Sequence, residues 1–222
     1  GISIIYISHR LEEIYLLADR ISILKDGKYQ GTFKKENLTK DELIKRMVGR
    51  EIQSLRAESY LQDDVLLCVK GLTGKRFRQI SFQLHRGEIL GLAGLIGAGR
   101  TEIARAIFGA DEVISGHVVL RNEELHAKHP AESISKGIAY VPEERKSQGL
   151  FPEMSIQDNM IAGKLENALH GKFYDPAKVK QRAEESTAKL NIATPGVQQK
   201  VVNLSGGNQQ KVVLAKWLLT NP

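Results

Sequence analysis

The stretch GLAGLIGAGRTEIARAIFGA, residues 91–110, constrains this chain more than any other. A continuous apolar run, Ile89 to Ala93, leads into Gly94, Gly97 and Gly99, and Ile103, Ala106 and Ile107 then recur at helical spacing. Buried strand, glycine loop and amphipathic helix form the context in which backbone N–H groups converge on an anion. Glycine keeps the mouth of such a loop clear of side chains, and the helix start adds partial positive charge. The phosphate-loop pattern G-x-x-x-x-G-K-[ST] asks for lysine at position 100, where this sequence has Arg100. Arginine keeps the cation but replaces a compact ammonium by a planar fork. Thr101 supplies a hydroxyl where such loops hold Mg²⁺, and Glu102 follows in the first turn. The competing reading is a glycine turn that serves only close strand–helix packing.

With 222 residues the chain is long enough to bury a core, and an apolar content of 41% with 26% charged residues suits a globular fold. No run of eighteen apolar residues occurs, so no membrane-spanning helix is expected. Cys68 is the only cysteine, which excludes an internal disulfide. The net charge of +6 is spread along the chain without an aromatic-studded basic patch, so nucleic acid is not an expected partner.

GISIIYISHR, at the start, reads as a buried strand through Ile2, Ile4, Ile5, Tyr6 and Ile7, and the chain is expected to be cut at both ends. Leu11, Ile14, Tyr15 and Ala18 then fall at helical spacing. RISILKDGKYQGTF alternates around Asp26-Gly27, a hairpin signal, and Thr39 with Glu42 predicts a capping box opening a helix that ends near Gly49. Residues 50–64 are polar and aperiodic, as in a linker. VLLCVKGL, QISFQLH, GHVVL and GIAYV read as further strands, and the chain becomes helical from about residue 151. Asp175 and Pro176 there predict a capped helix start.

A second glycine constellation lies in NLSGGNQQKVVLAKWLL, where Leu204 precedes Ser205-Gly206-Gly207 and an apolar helix follows. Alone, Ser205 reads as an ordinary helix cap. Joined to the loop at 94–101, it offers a second helix start able to face an anion.

The order L-S-G-G-x-Q-Q resembles the signature of ATP-binding cassette (ABC) ATPases. More narrowly, GLAGLIGAGRTEIARAIFGA, YVPEERKSQGL and LSGGNQQKVVLAKWLLTNP are similar to the second cassette of double-cassette subunits of bacterial simple-sugar importers, in which arginine is the usual letter at position 100. The resemblance implies an α/β P-loop NTPase fold with a parallel-sheet core, an antiparallel β-subdomain and a helical subdomain at about 151–215. Residues 1–49 would be the end of a first cassette, 50–64 a linker and 65–222 most of a second.

By the same resemblance His9 is the switch histidine reaching the γ-phosphate of ATP; its plain reading is a helix-capping histidine. Gly94, Gly97, Gly99, Arg100, Thr101 and Glu102 would hold one nucleotide with Mg²⁺ on Thr101. Ser205, Gly206, Gly207 and Gln209 would meet a second, sharing a composite site with His9. YVPEERK falls at the Q-loop, with Glu143 or Glu144 in place of glutamine. These carboxylates are either part of the altered site or a solvated loop paired with Arg145 and Lys146. Phe77 is the nearest aromatic for adenine stacking, or else core. The implied function is ATP-driven carbohydrate import with a transmembrane permease and an extracellular sugar-binding protein, at the cytoplasmic face of a bacterial membrane. A non-hydrolysing regulatory module and a soluble ABC ATPase of translation or DNA maintenance are the alternatives. No Walker B glutamate follows the signature within these residues, which predicts little turnover by them alone.

Overall fold

The computed structural model describes residues 1–8, 10–25, 27–48, 60–95, 97–170 and 173–222. The chain forms two compact units, Gly1–Glu58 and Ser59–Pro222.

In the first unit α1 (Leu11–Leu17) is followed by an antiparallel hairpin, β1 (Arg20–Lys25) and β2 (Lys28–Lys34), and by α2 (Lys40–Val48). The two-residue period of a strand puts Ile21 and Ile23 on one face, where they are buried with Leu38 and Leu43. Ile14, Tyr15, Ala18 and Phe33 pack around this small core, and the Tyr15 hydroxyl donates to the Leu38 carbonyl at 2.7 Å. Gly27 turns the hairpin with φ of +74°, which glycine adopts without steric cost; Asp26 lies outside the described residues. The capping box forms: Glu42 N–H donates to Thr39 Oγ1 and Thr39 N–H to the Glu42 carboxylate, both at 3.3 Å. Residues 49–59 lie outside the described set.

The second unit is built on a four-stranded antiparallel sheet in the order β4-β3-β5-β6, from β3 (Val65–Gly74), β4 (Phe77–His85), β5 (Ser115–Leu120) and β6 (Glu123–Glu124). Leu67, Val69 and Leu72 of β3 are buried, and their alternation slips by one residue where Gly71 takes φ of +58°. The register against β4 shifts at the same place, a bulge that returns Leu72 to the core face. Helix α3 (Arg100–Ile107) lays Ile103 and Ala106 into the cluster with Phe77 and Val118, and a short α4 (Pro130–Ser135) follows β6. The remainder is helical: α5 (Ile156–Ile161), a small hairpin of β7 (Leu169–His170) and β8 (Phe173–Tyr174), α6 (Pro176–Lys189) and α7 (Gly206–Leu218). Its core gathers Ile156, Met160, Val201, Val212, Val213 and Trp217. Helix α6 opens as its sequence predicts, with Asp175 accepting from Lys178 N–H at 3.0 Å and Pro176 in the first turn.

Three apolar runs depart from expectation. Ile2–Ile7, Ile89–Ala93 and Gly137–Val141 read as strands, the first two as buried ones, yet none belongs to a sheet among the described residues. Ile2, Ile4, Ile5, Ile7 and Ile89 are exposed, whereas Ile138, Ala139 and Tyr140 pack against the helical core without strand pairing. Among the described residues every ladder is antiparallel, so the expected parallel core is not formed there. The physical reason is that an apolar run without alternation becomes a buried strand only where neighbouring strands pair with its edges and helices cover its faces. No described strand pairs with these three.

Candidate functional site

The glycine loop links an unpaired apolar segment to α3. Ala98 N–H donates to the Leu95 carbonyl at 3.0 Å, and Gly97 and Gly99 take φ of +84° and +87°. The two glycines are required for different reasons. A Cβ on Gly97 would meet nothing within 4 Å, so only its backbone conformation asks for glycine; a Cβ on Gly99 would lie 2.9 Å from the Arg76 carbonyl oxygen. Gly94 is exposed, and a Cβ there would crowd Ala98 Cβ at 3.0 Å. Ile96 lies outside the described residues.

The earliest described bond into α3 runs from Ile103 N–H to the Gly99 carbonyl at 3.0 Å, so the Thr101 and Glu102 amides project from the helix start. Glu102 pairs with Arg76 at 3.2 Å, pinning this start to the β3–β4 turn. Arg100 folds back until its Nη2 lies 3.5 Å from the Leu95 carbonyl. The Thr101 hydroxyl is half-buried and makes no hydrogen bond among the described residues. Left-handed glycines, a clear mouth, projecting amides, a cation and a hydroxyl fit a phosphate chain carrying a divalent ion. Phe77 is buried in the cluster between the sheet and α3, so of its two readings the core one holds.

At the second helix start Leu204 is buried, while Ser205, Gly206 and Gly207 are exposed. Ser205 is the cap of α7: its Oγ accepts from Asn208 Nδ2 at 3.1 Å and from Asn208 N–H at 3.5 Å. Asn208 also bridges to Ala193, accepting from its N–H at 3.1 Å and donating to its carbonyl at 3.3 Å. Gln209 turns inward and donates to the Val201 and Leu204 carbonyls at 3.3 and 3.2 Å. It holds the loop from beneath while the serine and glycines face solvent.

Between these two starts runs the YVPEERK segment. Glu143 and Glu144 are exposed, and neither is ion-paired with Arg145 or Lys146 among the described residues. A π-type turn, Arg145–Gly149, follows. Arg105 of α3 donates to Gln148 Oε1 at 3.4 Å, and Lys216 of α7 donates to the Gly149 carbonyl at 2.6 Å. Burial pushes the Lys216 ammonium below the usual lysine range, because desolvation disfavours its charge. Burial also raises the Tyr140 phenol.

In the first unit His9 lies outside the described residues. Elsewhere in this unit the Glu13 carboxylate accepts from the Tyr6 hydroxyl at 2.7 Å, Arg10 Nη1 at 2.9 Å and Ser8 Oγ at 3.2 Å. The structure adds Arg76, Arg105, Asn208 and Lys216 to the residues that shape the loops. Of these only Lys216 leaves a trace in the sequence, as a lone cation within the apolar stripe VVLAKWLL.

Comparison with solved structures shows the fold, one shared with ATP-binding cassettes. The chain is similar to a dimeric ATP-binding cassette in a post-hydrolysis state bound to ADP and Pi, with TM-score 0.59 and 19% identity over 71% of each chain. It is also similar to the ADP conformation of another ABC transporter cassette, with TM-score 0.55 and 20% identity, covering 71% of this chain and 66% of that one.

The chain belongs to the ABC transporter family, which residues 77–222 match. Among curated relatives, a putative ribose/galactose/methyl galactoside import ATP-binding protein of Halalkalibacterium halodurans is 43% identical over 100% of this chain and 43% of its own length. A ribose import ATP-binding protein of Rubrobacter xylanophilus is 46% identical, over 99% of this chain and 44% of that protein. A galactose/methyl galactoside import ATP-binding protein of Clostridium tetani is 43% identical, over 100% and 45%. The chain thus spans a little under half the length of these relatives.

Proposed function

We propose that this chain is part of the ATP-binding subunit that energises import of a monosaccharide or related small carbohydrate through an ABC permease. Residues 1–49 are the end of one cassette, 50–64 a linker and 65–222 most of a second. The observation that carries the reading is the loop of Gly97 and Gly99, open in front of the projecting α3 amides. The names of the relatives support the carbohydrate.

In this reading the amides of the 94–102 loop and Arg100 hold the phosphate chain of one nucleotide, and Thr101 ligates its Mg²⁺. Bound MgATP supplies a transferable phosphoryl group whose charge must be stabilised rather than attacked by a protein nucleophile. Ser205, Gly206 and Gly207 offer donors to a second nucleotide, steadied by Gln209 from below, and His9 is assigned the part of a switch histidine by the family resemblance. Glu143 belongs with Arg100 and Thr101 in the altered site. The permease and an extracellular sugar-binding protein are the partners, and the subunit sits peripherally at the cytoplasmic membrane face. Among the described residues no helix is long and apolar enough to cross a membrane.

A second reading, a nucleotide-binding module without turnover, is favoured by one observation: Arg100 leans on the loop's own Leu95 carbonyl. Measuring ATP binding and phosphate release separately in the intact protein decides between them. Binding with turnover that rises in the presence of the permease supports energy coupling; binding with no release supports the second reading; no binding rejects both.

A further inference from the structure

The turn Arg145–Gly149 is fastened to both helices that begin at the candidate phosphate-facing loops. From α3, Arg105 reaches Gln148; from α7, Lys216 reaches the Gly149 carbonyl, and the Lys216 side chain is buried at 7% exposure. Gly149 itself is wedged, since a Cβ there would lie 3.2 Å from both Pro142 Cγ and Val213 Cγ2. At its other end the turn meets the start of α7. A Cβ on Gly206 would lie 2.8 Å from Arg145 Nη2, so the guanidinium occupies the space that a side chain at 206 would need. The Arg145 Nε is buried with no acceptor among the described residues, and neither neighbouring glutamate pairs with the guanidinium.

A cation against a helix start gains nothing from the helix dipole. Packing, not charge pairing, therefore holds Arg145 where it is. The planar, rigid fork of arginine suits that task better than a flexible ammonium.

We propose that Arg145 is a positioning residue for the Ser205–Gly207 segment. It transmits the position of the 145–149 turn, itself tied to α3 through Arg105, to the amides at the start of α7. The turn and α7 move as one body because Lys216 fastens them at one end and Arg145 abuts them at the other. This rests on the reading that Ser205–Gly207 meets nucleotide, but the link itself exists without nucleotide.

The test uses the full-length protein and the variants Arg145→Ala, Arg145→Lys and Gly206→Ala. Amide hydrogen exchange without nucleotide reads the link directly. Arg145→Ala is expected to speed exchange across 205–213 by about tenfold while 176–189 stays unchanged, and Arg145→Lys to recover part of the protection. ATP kinetics read the consequence: kcat falls at least about fivefold in Arg145→Ala, with KM within about twofold. Unchanged exchange at 205–213 overturns the proposal whether or not the protein hydrolyses ATP. A parent without ATPase activity counts against the functional reading alone. Should Arg145→Ala loosen α6 as well, Gly206→Ala decides, because its methyl evicts the guanidinium and leaves Arg145 chemically intact. Faster exchange at 143–149 in that variant supports the link; unchanged exchange there contradicts it.

Discussion

Arg105 grips both carboxylate oxygens of Asp111, with Nε–Oδ2 and Nη2–Oδ1 distances of 2.8 Å each. This two-pronged contact ties the last turn of α3 to the chain that leaves it, past Gly109 at φ of +77°. Hydrogen bonding from Arg105 holds the Asp111 carboxyl below its usual range. A depressed carboxylate contributes stability above the unfolded value of about 3.9, and loses it as pH falls through the lower folded value. Asp111→Ala is expected to cost about 1 kcal/mol at pH 7, a modest figure because the pair is partly exposed. The gap in Tm between parent and variant should close below about pH 4; a gap independent of pH contradicts the assignment.

Gly97 and Gly99 share a left-handed conformation but not an environment, so alanine at each should behave differently. Gly97→Ala meets only the conformational penalty, about 1 kcal/mol. Gly99→Ala adds a clash with the Arg76 carbonyl and should cost at least about 2 kcal/mol. Urea melts that rank the two equally would show that the loop does not rest on the β3–β4 turn.

Lys216 is buried with a carbonyl as its hydrogen-bond partner, and burial lowers its pKa. The unfolded state then binds more protons than the folded one between the lowered value and about 10.4, so this residue makes stability rise with pH across that window. Lys216→Met should remove the rise. Stability profiles of parent and variant that stay parallel from pH 7 to 10 would contradict the assignment.

Trp217 stands edge-on to Phe108, with ring centroids 5.6 Å apart and an interplanar angle of 89°. Trp217→Ala should cost about 3–5 kcal/mol through the cavity it leaves. Trp217→Phe should cost much less, because the buried indole N–H has no acceptor among the described residues and its loss strands no partner. Thermal melts in which the two variants coincide would place the value of this residue elsewhere than in packing.

Local signals were legible in the sequence where they depend on neighbours a few positions away. The Thr39–Glu42 box, the Asp175-Pro176 helix start, the hairpin around Gly27 and the alternating faces of β1 all formed as read. Gly97 and Gly99 announced their loop because left-handed backbone is a property of single residues. The apolar runs at Ile2–Ile7 and Ile89–Ala93 read as buried strands but pair with no strand among the described residues, since strand pairing depends on partners that a periodicity argument cannot see. The contacts of Arg76, Arg105 and Arg145 escape the sequence for a related reason. Each acts across at least six positions of chain, on Glu102, Asp111 and Gly206, and no spacing rule predicts such meetings. Gln209 was placed among nucleotide-facing residues by its motif, whereas its amide faces inward to two carbonyls.

The central claim is that the 94–101 loop holds the phosphate chain of a nucleotide. Calorimetric titration of MgATP into the full-length protein, beside the double variant Arg100→Ala/Thr101→Ala, tests it most directly. The account predicts that the parent binds ATP and not adenosine, and that the double variant loses one equivalent of ATP while its melting temperature stays within about 2 °C of the parent. An unchanged stoichiometry and affinity in the variant, or adenosine bound as tightly as ATP, would contradict it.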